Sequence, residues 1–154
     1  MDKVICLSRV STLSQELESQ KNKVYEVIRN DGFNDSQIID ISNKESGVML
    51  SEYEMLGLDT LKEEILKGGV VAVYVYELSR IARQAKILYS IRDFLIEHKV
   101  QLVCVNPSFR MFRQDGSFDD SSNVIFALYC SLAENEGFIR KARLRLRRLR
   151  LGRS

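Results

Sequence analysis

The chain has 154 residues and a formal net charge of +2, with 45% hydrophobic and 29% charged residues. This length fits one domain, and the composition is typical of a soluble globular protein. No apolar run reaches the ~18 residues that a membrane span needs, and the N-terminus does not begin like a signal peptide. The single histidine, His98, and three widely separated cysteines give no metal cluster, no Ser-His-Asp triad and no zinc motif.

The near-neutral charge hides a strong asymmetry. Residues 140–154, called here the basic tail, contain eight basic residues and no acidic ones. Residues 1–139 hold the other 15 of the 23 basic residues and all 21 acidic residues, which gives them a net charge of −6. A cationic tail on an acidic body indicates a polyanionic partner, either nucleic acid or an anionic membrane surface.

Strand and helix patterns alternate along the chain. Apolar runs predict strands at Lys3–Ser8, Gln37–Ile41, Val70–Tyr76 and Val100–Val105. Apolar spacings of three and four predict helices over about 15–30, 53–67 and 84–98, and from near Ser122 onward. Segments 42–50 and 106–120 are predicted to be loops. The order predicts a three-layer α/β/α domain with a mostly parallel central sheet and a long C-terminal helix.

Basic side chains follow two of the predicted strands. Arg9 and Ser11 come after the first strand, and Arg80 and Arg83 after the third. In open α/β sheets ligands bind at the carboxyl ends of the strands, and arginines beside a helix start can hold a phosphate. When it occurs alone, a serine at this position is most often a helix cap, and an R-x-x-R pair most often lies on a solvated surface. Their convergence favours a phosphate-binding α/β domain.

Four motifs carry a more specific resemblance. Arg9-Val10-Ser11-Thr12-x-x-Gln15, followed by Gln20, resembles the N-terminal signature of serine recombinases, the resolvase/invertase family. Glu45-Ser46-Gly47 is similar to the S-G loop of that family, and residues 77–83 to its paired-arginine motif. Residues 132–136, which lead into a basic helix, resemble the start of its dimerisation helix. The resemblance spans about residues 3–143.

The resemblance implies a site-specific DNA recombinase. Ser11 would attack a DNA backbone phosphate, form a covalent 5′-phosphoserine link and release a 3′-hydroxyl. Arg9, Arg80 and Arg83 would stabilise the charge on the phosphoryl group, Gln20 would complete the catalytic set, and Gln15 and Ser46 would bind the phosphate. The covalent link keeps the phosphate bond energy, so no cofactor, metal or ATP is expected, and no P-loop motif is present.

The resemblance also implies partners. Residues 1–139 would form the catalytic domain, and the basic tail would lead to a DNA-binding domain outside this chain. Double-stranded DNA would be held by Arg140, Lys141, Arg143 and Arg147; the alternative for the tail is a disordered basic extension. A homodimer, becoming a tetramer in synapsis, would form through Val124, Ile125, Leu128, Leu132 and Phe138, which could instead be intrachain core. No membrane is expected as a partner, and the location would be the cytoplasm of a bacterial or mobile-element host, at the nucleoid.

The chain departs from the family pattern at three positions. Glu52 stands where the family usually has an active-site arginine, and no arginine occurs between Asn30 and Arg80. Ser79 replaces a frequent aspartate, and Gly137 a common basic residue. Arg110 and Arg113 are candidates to replace the missing arginine. Two rival functions therefore stay open: a catalytically impaired DNA-binding regulatory relic, and a flavodoxin-like phosphate or nucleotide binder.

Overall fold

Five strands form one sheet within the residues that the computed structural model describes, 1–10, 15–44 and 50–151. The strands are β1 (Lys3–Val10), β2 (Ile38–Lys44), β3 (Val70–Val75), β4 (Gln101–Cys104) and β5 (Phe109–Arg110). Their order is β2-β1-β3-β4-β5, with all pairs parallel except β4 and β5. The predicted mostly parallel sheet is confirmed.

The connecting helices are α1 (Gln15–Asn30), α2 (Leu50–Leu66), α3 (Ala85–Glu97) and α4 (Asp120–Leu151), with short 3₁₀ turns at Asp35–Gln37 and Leu78–Arg80. Within the described residues, none of the helices is long and apolar enough to cross a membrane.

The largest differences from the prediction are the ends of two strands and one additional strand. β1 and β2 continue to Val10 and Lys44 because their polar ends, Ser8–Val10 and Ser42–Lys44, stay paired with each other in register. The segment predicted as a loop over 106–120 contains β5, which pairs antiparallel with β4. A two-residue strand in a polar segment gives no periodicity, so the sequence pattern does not reveal it.

Alternating side chains of β1 divide the core into two layers. Val4 and Cys6 pack on one face with Val24 and Ile28 of α1. Ile5 and Leu7 point to the other face, which is covered by apolar residues of α2, α3 and the first turns of α4, among them Leu61, Leu88, Phe126 and Cys130. A strand buried on both sides explains why its sequence is continuously apolar.

A polar cluster fastens the far end of α1 to the sheet. Arg110 donates two hydrogen bonds of 2.8 Å to the carboxylate of Asp31, and the buried Tyr74 hydroxyl donates another at 2.6 Å. Burial alone would raise the pKa of Asp31, but these hydrogen bonds outweigh it and hold that pKa below its usual range. The cluster therefore joins three elements, the turn after α1, β3 and β5.

Candidate active site

The ends of β1 and β3 bring the two arginine motifs to one edge of the sheet. The two strands are neighbours and parallel, with Leu7 opposite Val75. The chain thus leaves β1 at Val10 beside the Leu78–Arg80 turn that follows β3. The backbone of Arg9 lies in β1, but its side chain, like Ser11 and Ser46, falls outside what the structure describes.

Arg80 and Gln20 lie together at this edge. The Arg80 guanidinium donates from Nη2 to Oε1 of Gln20 at 3.0 Å. Gln20 projects from α1 and Arg80 from the turn after β3, so the contact depends on α1 lying over the sheet. The Arg80 side chain is 13% exposed, so most of it is enclosed.

Glu77 and Ser79 surround the same guanidinium. Glu77 Oε1 lies 3.1 Å from Arg80 Nη2 and accepts a 2.6 Å hydrogen bond from the Ser79 hydroxyl. Arg80 Nε is buried and has no hydrogen-bond partner among the described residues. One arginine is therefore held by an amide from α1 and by a carboxylate from its own turn.

A small cavity opens between α1 and the end of β1. Its polar wall consists of Ser8, Gln20, Lys21 and Arg80, and its remaining wall is formed by Leu7, Leu17, Val24 and Tyr76. Gln20 and Lys21, two of the three polar residues beside Arg80, are consecutive residues of α1. The cavity thus brings the side chains of Lys21, Arg80 and Gln20 together beside Leu7 and Ser8 of β1.

A hydrogen-bonded chain runs from the cavity to β2. Lys21 pairs with the Asp40 carboxylate, which also accepts from Tyr25 at 2.8 Å and from Ser42 at 2.9 Å. Ser42 and Ser8 share a further hydrogen bond of 3.2 Å. Burial would raise the pKa of Asp40, but the bonds from Lys21, Tyr25 and Ser42 lower it below its usual range. Lys21 is therefore a fixed cation paired with an ionised carboxylate.

The other predicted residues have different positions. Arg83 follows the turn and is exposed, with no hydrogen bond or ion pair to another described residue, and Gln15 is exposed at the first position of α1. Arg110 does not replace the missing arginine, because it is paired with Asp31 at the opposite end of α1 from Gln20. His98 ends α3 at the amino edge of the sheet, as its position in the sequence predicted.

The cysteines are not alternative nucleophiles. Cys6, Cys104 and Cys130 are all buried, and none forms a disulfide with another described residue. Burial raises the pKa of the Cys6 and Cys104 thiols to about 12, so neither is a thiolate at neutral pH.

Comparison with known families decides the identity. The model of the family "Resolvase, N terminal domain" matches residues 4–150, almost the whole chain. The chain belongs to the resolvase family. This family acts on DNA in oligomeric recombination complexes, so the protein is a site-specific serine recombinase.

Solved structures share the fold of this recombinase. The N-terminal catalytic domain of TP901-1 integrase is 22% identical, with a TM-score of 0.59 over 90% of this chain and 98% of that one. A resolvase family site-specific recombinase from Streptococcus pneumoniae is 23% identical, with a TM-score of 0.59 over 100% of both chains. A search of curated protein sequences finds no match.

The long helix of the recombinase has two distinct parts. Phe126 and Cys130 pack into the core, whereas Val124, Leu128 and Leu132, spaced by four, are 67%, 61% and 56% exposed. Ile125 is partly buried against the core, and the Phe138 side chain is not among those described. The basic tail continues α4 as far as Leu151, so this part of it is helical in the structure.

The basic side chains described in the tail are exposed, among them Lys141, Arg143 and Arg147. Arg140 lies in α4, though its side chain is outside the described set. Arg143 and Arg147 are four residues apart and therefore lie on one face of the helix.

Sequence patterns missed three residues of the site in the recombinase. Lys21 and Ser8 belong to no motif that carries the resemblance, and Glu77 lies in the paired-arginine motif but was given no role in it. Lys21 lies between Leu17 and Val24 on the sheet-facing stripe of α1. This position was the available signal, because an ionisable group in an apolar stripe needs a buried partner. The motif places Glu77 just before Arg80, but nothing in the sequence shows that its carboxylate faces that guanidinium.

Proposed function

We propose that this recombinase cuts and rejoins DNA through a covalent phosphoserine at Ser11. The observation that carries the proposal is the hydrogen bond between Arg80 and Gln20, two predicted catalytic residues 60 positions apart. Their meeting at the end of β1 supports a phosphate site next to Ser11.

The proposed reaction is an in-line phosphoryl transfer. The Ser11 hydroxyl loses its proton and its oxygen bonds to the phosphorus, while the bond from phosphorus to the 3′ oxygen breaks and that oxygen gains a proton. The reverse attack by a 3′-hydroxyl reseals the strand and frees Ser11. Every bond broken is matched by one formed, so the cycle needs no external energy source.

The arginines stabilise the charge of this transfer. Arg80 is oriented by Gln20 and Glu77, and exposed Arg83 is free to swing toward DNA. Arg9 and Arg80 come from adjacent strand ends, so both can lie on the phosphoryl oxygens, with Gln15 and Ser46 as further contacts. Preorganised cations of this kind typically contribute ~10²–10³ in rate each. Lys21 adds a cation to the same cavity.

Double-stranded DNA and further copies of the chain are the proposed partners. Arg140, Lys141, Arg143 and Arg147 contact backbone phosphates of double-stranded DNA, for which a helical, exposed basic tail is suited. Val124, Leu128 and Leu132 form the interface of a homodimer, because they make an exposed apolar stripe opposite the core-facing side of α4. Two dimers associate in synapsis. The site of action is the nucleoid of a bacterial or mobile-element host, in the cytoplasm.

A covalent capture experiment tests the chemistry. The protein is incubated with a library of nicked duplexes of randomised sequence, which trap cleaved ends, and protein-linked DNA is isolated under denaturing conditions. Mass spectrometry should find the 5′ phosphate on the Ser11 peptide. Ser11→Ala should abolish the adduct, and Ser14→Ala, a serine three residues away, should retain it. An adduct on another residue, or none with the unaltered chain, overturns the proposal.

If the unaltered chain forms no adduct, the result favours the impaired rival that Glu52 suggests. A chain that binds DNA but never forms an adduct would be a DNA-binding regulatory relic. The family match argues against the flavodoxin-like rival.

A further inference from the structure

A carboxylate stands beside Arg80, which is more enclosed than Arg83, the other arginine of the candidate site whose side chain is described. Glu77 Oε1 accepts from the Ser79 hydroxyl at 2.6 Å and lies 3.1 Å from Nη2 of Arg80. The same Nη2 donates to Gln20 at 3.0 Å. Two side chains, Glu77 and Gln20, thus meet at one guanidinium nitrogen of Arg80, and Ser79 contacts the first of them.

Arg80 needs such a partner to hold one orientation. An arginine side chain loses rotamer entropy when it is fixed, and this loss must be offset if the guanidinium is to be held before the substrate arrives. Gln20 accepts a hydrogen bond from the guanidinium, whereas Glu77 adds the Coulombic attraction of an ion pair at the same nitrogen. Glu77 is therefore the charged one of these two restraints on Arg80.

Ser79 connects this restraint to the turn. Position 79 directly precedes Arg80 and holds a hydroxyl in place of a carboxylate. Because that hydroxyl donates to Glu77, it holds the carboxylate against Arg80 from within the same turn. Position 79 therefore lacks a negative charge, and Glu77, two residues earlier, supplies one at the Arg80 guanidinium.

We propose that Glu77 is a positioning residue that fixes the guanidinium of Arg80 for phosphoryl transfer. The inference rests on the proposed function of Arg80 and deepens it. Glu77 acts through Arg80 and does not itself contact the phosphate.

A surface ion pair of the same spacing provides the matched control. Glu64 and Lys67 are also three residues apart, with 3.0 Å between Nζ and Oε1, and Glu64 is 25% exposed against 32% for Glu77. Glu64 lies on α2, away from the carboxyl edge. The variant Glu64→Ala therefore shows the effect of losing an ordinary surface ion pair.

The first readout is the Nε–Hε resonance of Arg80 in the ¹⁵N-labelled chain, assigned with Arg80→Lys. Glu77→Ala should shift this resonance and speed its exchange with solvent. The double variant Glu77→Ala/Ser79→Asp, which moves a carboxylate to the neighbouring position, should reverse both changes, and Glu64→Ala should cause neither. An unchanged resonance in Glu77→Ala overturns the proposal, whether or not the chain cleaves DNA.

The second readout is the single-turnover rate of adduct formation on nicked DNA. Glu77→Ala should lower the rate at saturating DNA by about tenfold to a hundredfold, with little change in the DNA concentration that gives half the maximal rate. The double variant should recover at least fivefold, and Glu64→Ala should match the unaltered chain. If Glu77→Ala proves unstable, Glu77→Gln should show a smaller loss in the same direction.

The two readouts separate the possible failures. An unaltered chain without an adduct refutes the proposed function, while the resonance still decides whether Glu77 positions Arg80. A normal rate in Glu77→Ala, or no recovery in the double variant, refutes the positioning role even if Ser11 forms its adduct.

Discussion

Arg80 donates a 3.0 Å hydrogen bond to Gln20 across 60 residues of sequence. The two side chains come from α1 and from the turn after β3, and they meet because β1 and β3 are adjacent and parallel. A parallel sheet is thus what converts two distant motifs into one site. The contact uses Oε1 of Gln20, so we expect its Nε2 to be the atom that donates to a phosphate.

Replacing Gln20 tests this division of roles. Gln20→Ala should slow adduct formation by about tenfold, because Arg80 loses one restraint and the phosphate loses one donor. Gln20→Glu should slow it by ~10²–10³, although its oxygen can still accept from Arg80, because a negative charge then faces the phosphate. Single-turnover kinetics on nicked DNA measure both. Gln114→Glu, at an exposed loop position, is the control; a Gln20→Glu rate equal to that of the control would contradict the assignment.

The sequence predicts the layers of this fold because its signals are periodic. Continuous apolar runs at β1 and β3 and apolar stripes in the helices define a buried sheet with helices on both faces. Ser8–Val10 and Ser42–Lys44 carry no such signal, and they extend the strands only because each supplies the other with a pairing partner. Strand ends of that kind depend on tertiary pairing and not on local pattern.

The candidate site is predictable only in part for a similar reason. Motif spacing predicted roles for Arg80 and Gln20, which the structure brings into contact, but it assigned none to Glu77 or Lys21, because their contacts depend on where their partners lie. The sequence suggested Arg110 as a substitute for the missing arginine, and that was wrong. Arg110 is paired with Asp31, and the pairing follows from the position of β5, which no pattern reveals.

The basic tail should set the salt dependence of DNA binding. Each phosphate contact contributes ~0.9 to the slope of log affinity against log salt concentration, so Arg143→Gln/Arg147→Gln should reduce that slope by about 2. Arg29→Gln/Lys67→Gln removes two exposed charges at the amino edge of the sheet and should leave the slope unchanged. Fluorescence anisotropy titrations over a range of salt concentrations measure it. Equal slopes for the two double variants would exclude the tail as the DNA contact.

The exposed stripe of α4 should control self-association. Leu128 is 61% exposed in the single chain, and burying a leucine in an interface stabilises it by about 1.5–3 kcal/mol. Leu128→Asp should therefore weaken the dimer by at least tenfold, as measured by sedimentation velocity. Leu66→Asp, at a leucine that is 65% exposed at the end of α2, should leave the dimer intact. If both variants associate like the unaltered chain, the interface lies elsewhere.

Asp31 should make the fold sensitive to acid. Its pKa is held below its usual range by Arg110 and Tyr74, so its contribution to the free energy of unfolding is present above the ordinary aspartate pKa of about 3.9 and is lost as the pH falls through the lower, folded value. Asp31→Asn should cost about 1–2 kcal/mol at pH 7 and flatten the fall of stability below about pH 4. Urea unfolding at a series of pH values from about 2.5 to 7 measures the free energy of unfolding of each variant. Asp35→Asn removes a similar two-bond contact with Arg29, but one exposed to solvent, and should have the smaller effect throughout this pH range. An equal loss in the two variants would mean that the Asp31 cluster is no more than a surface ion pair.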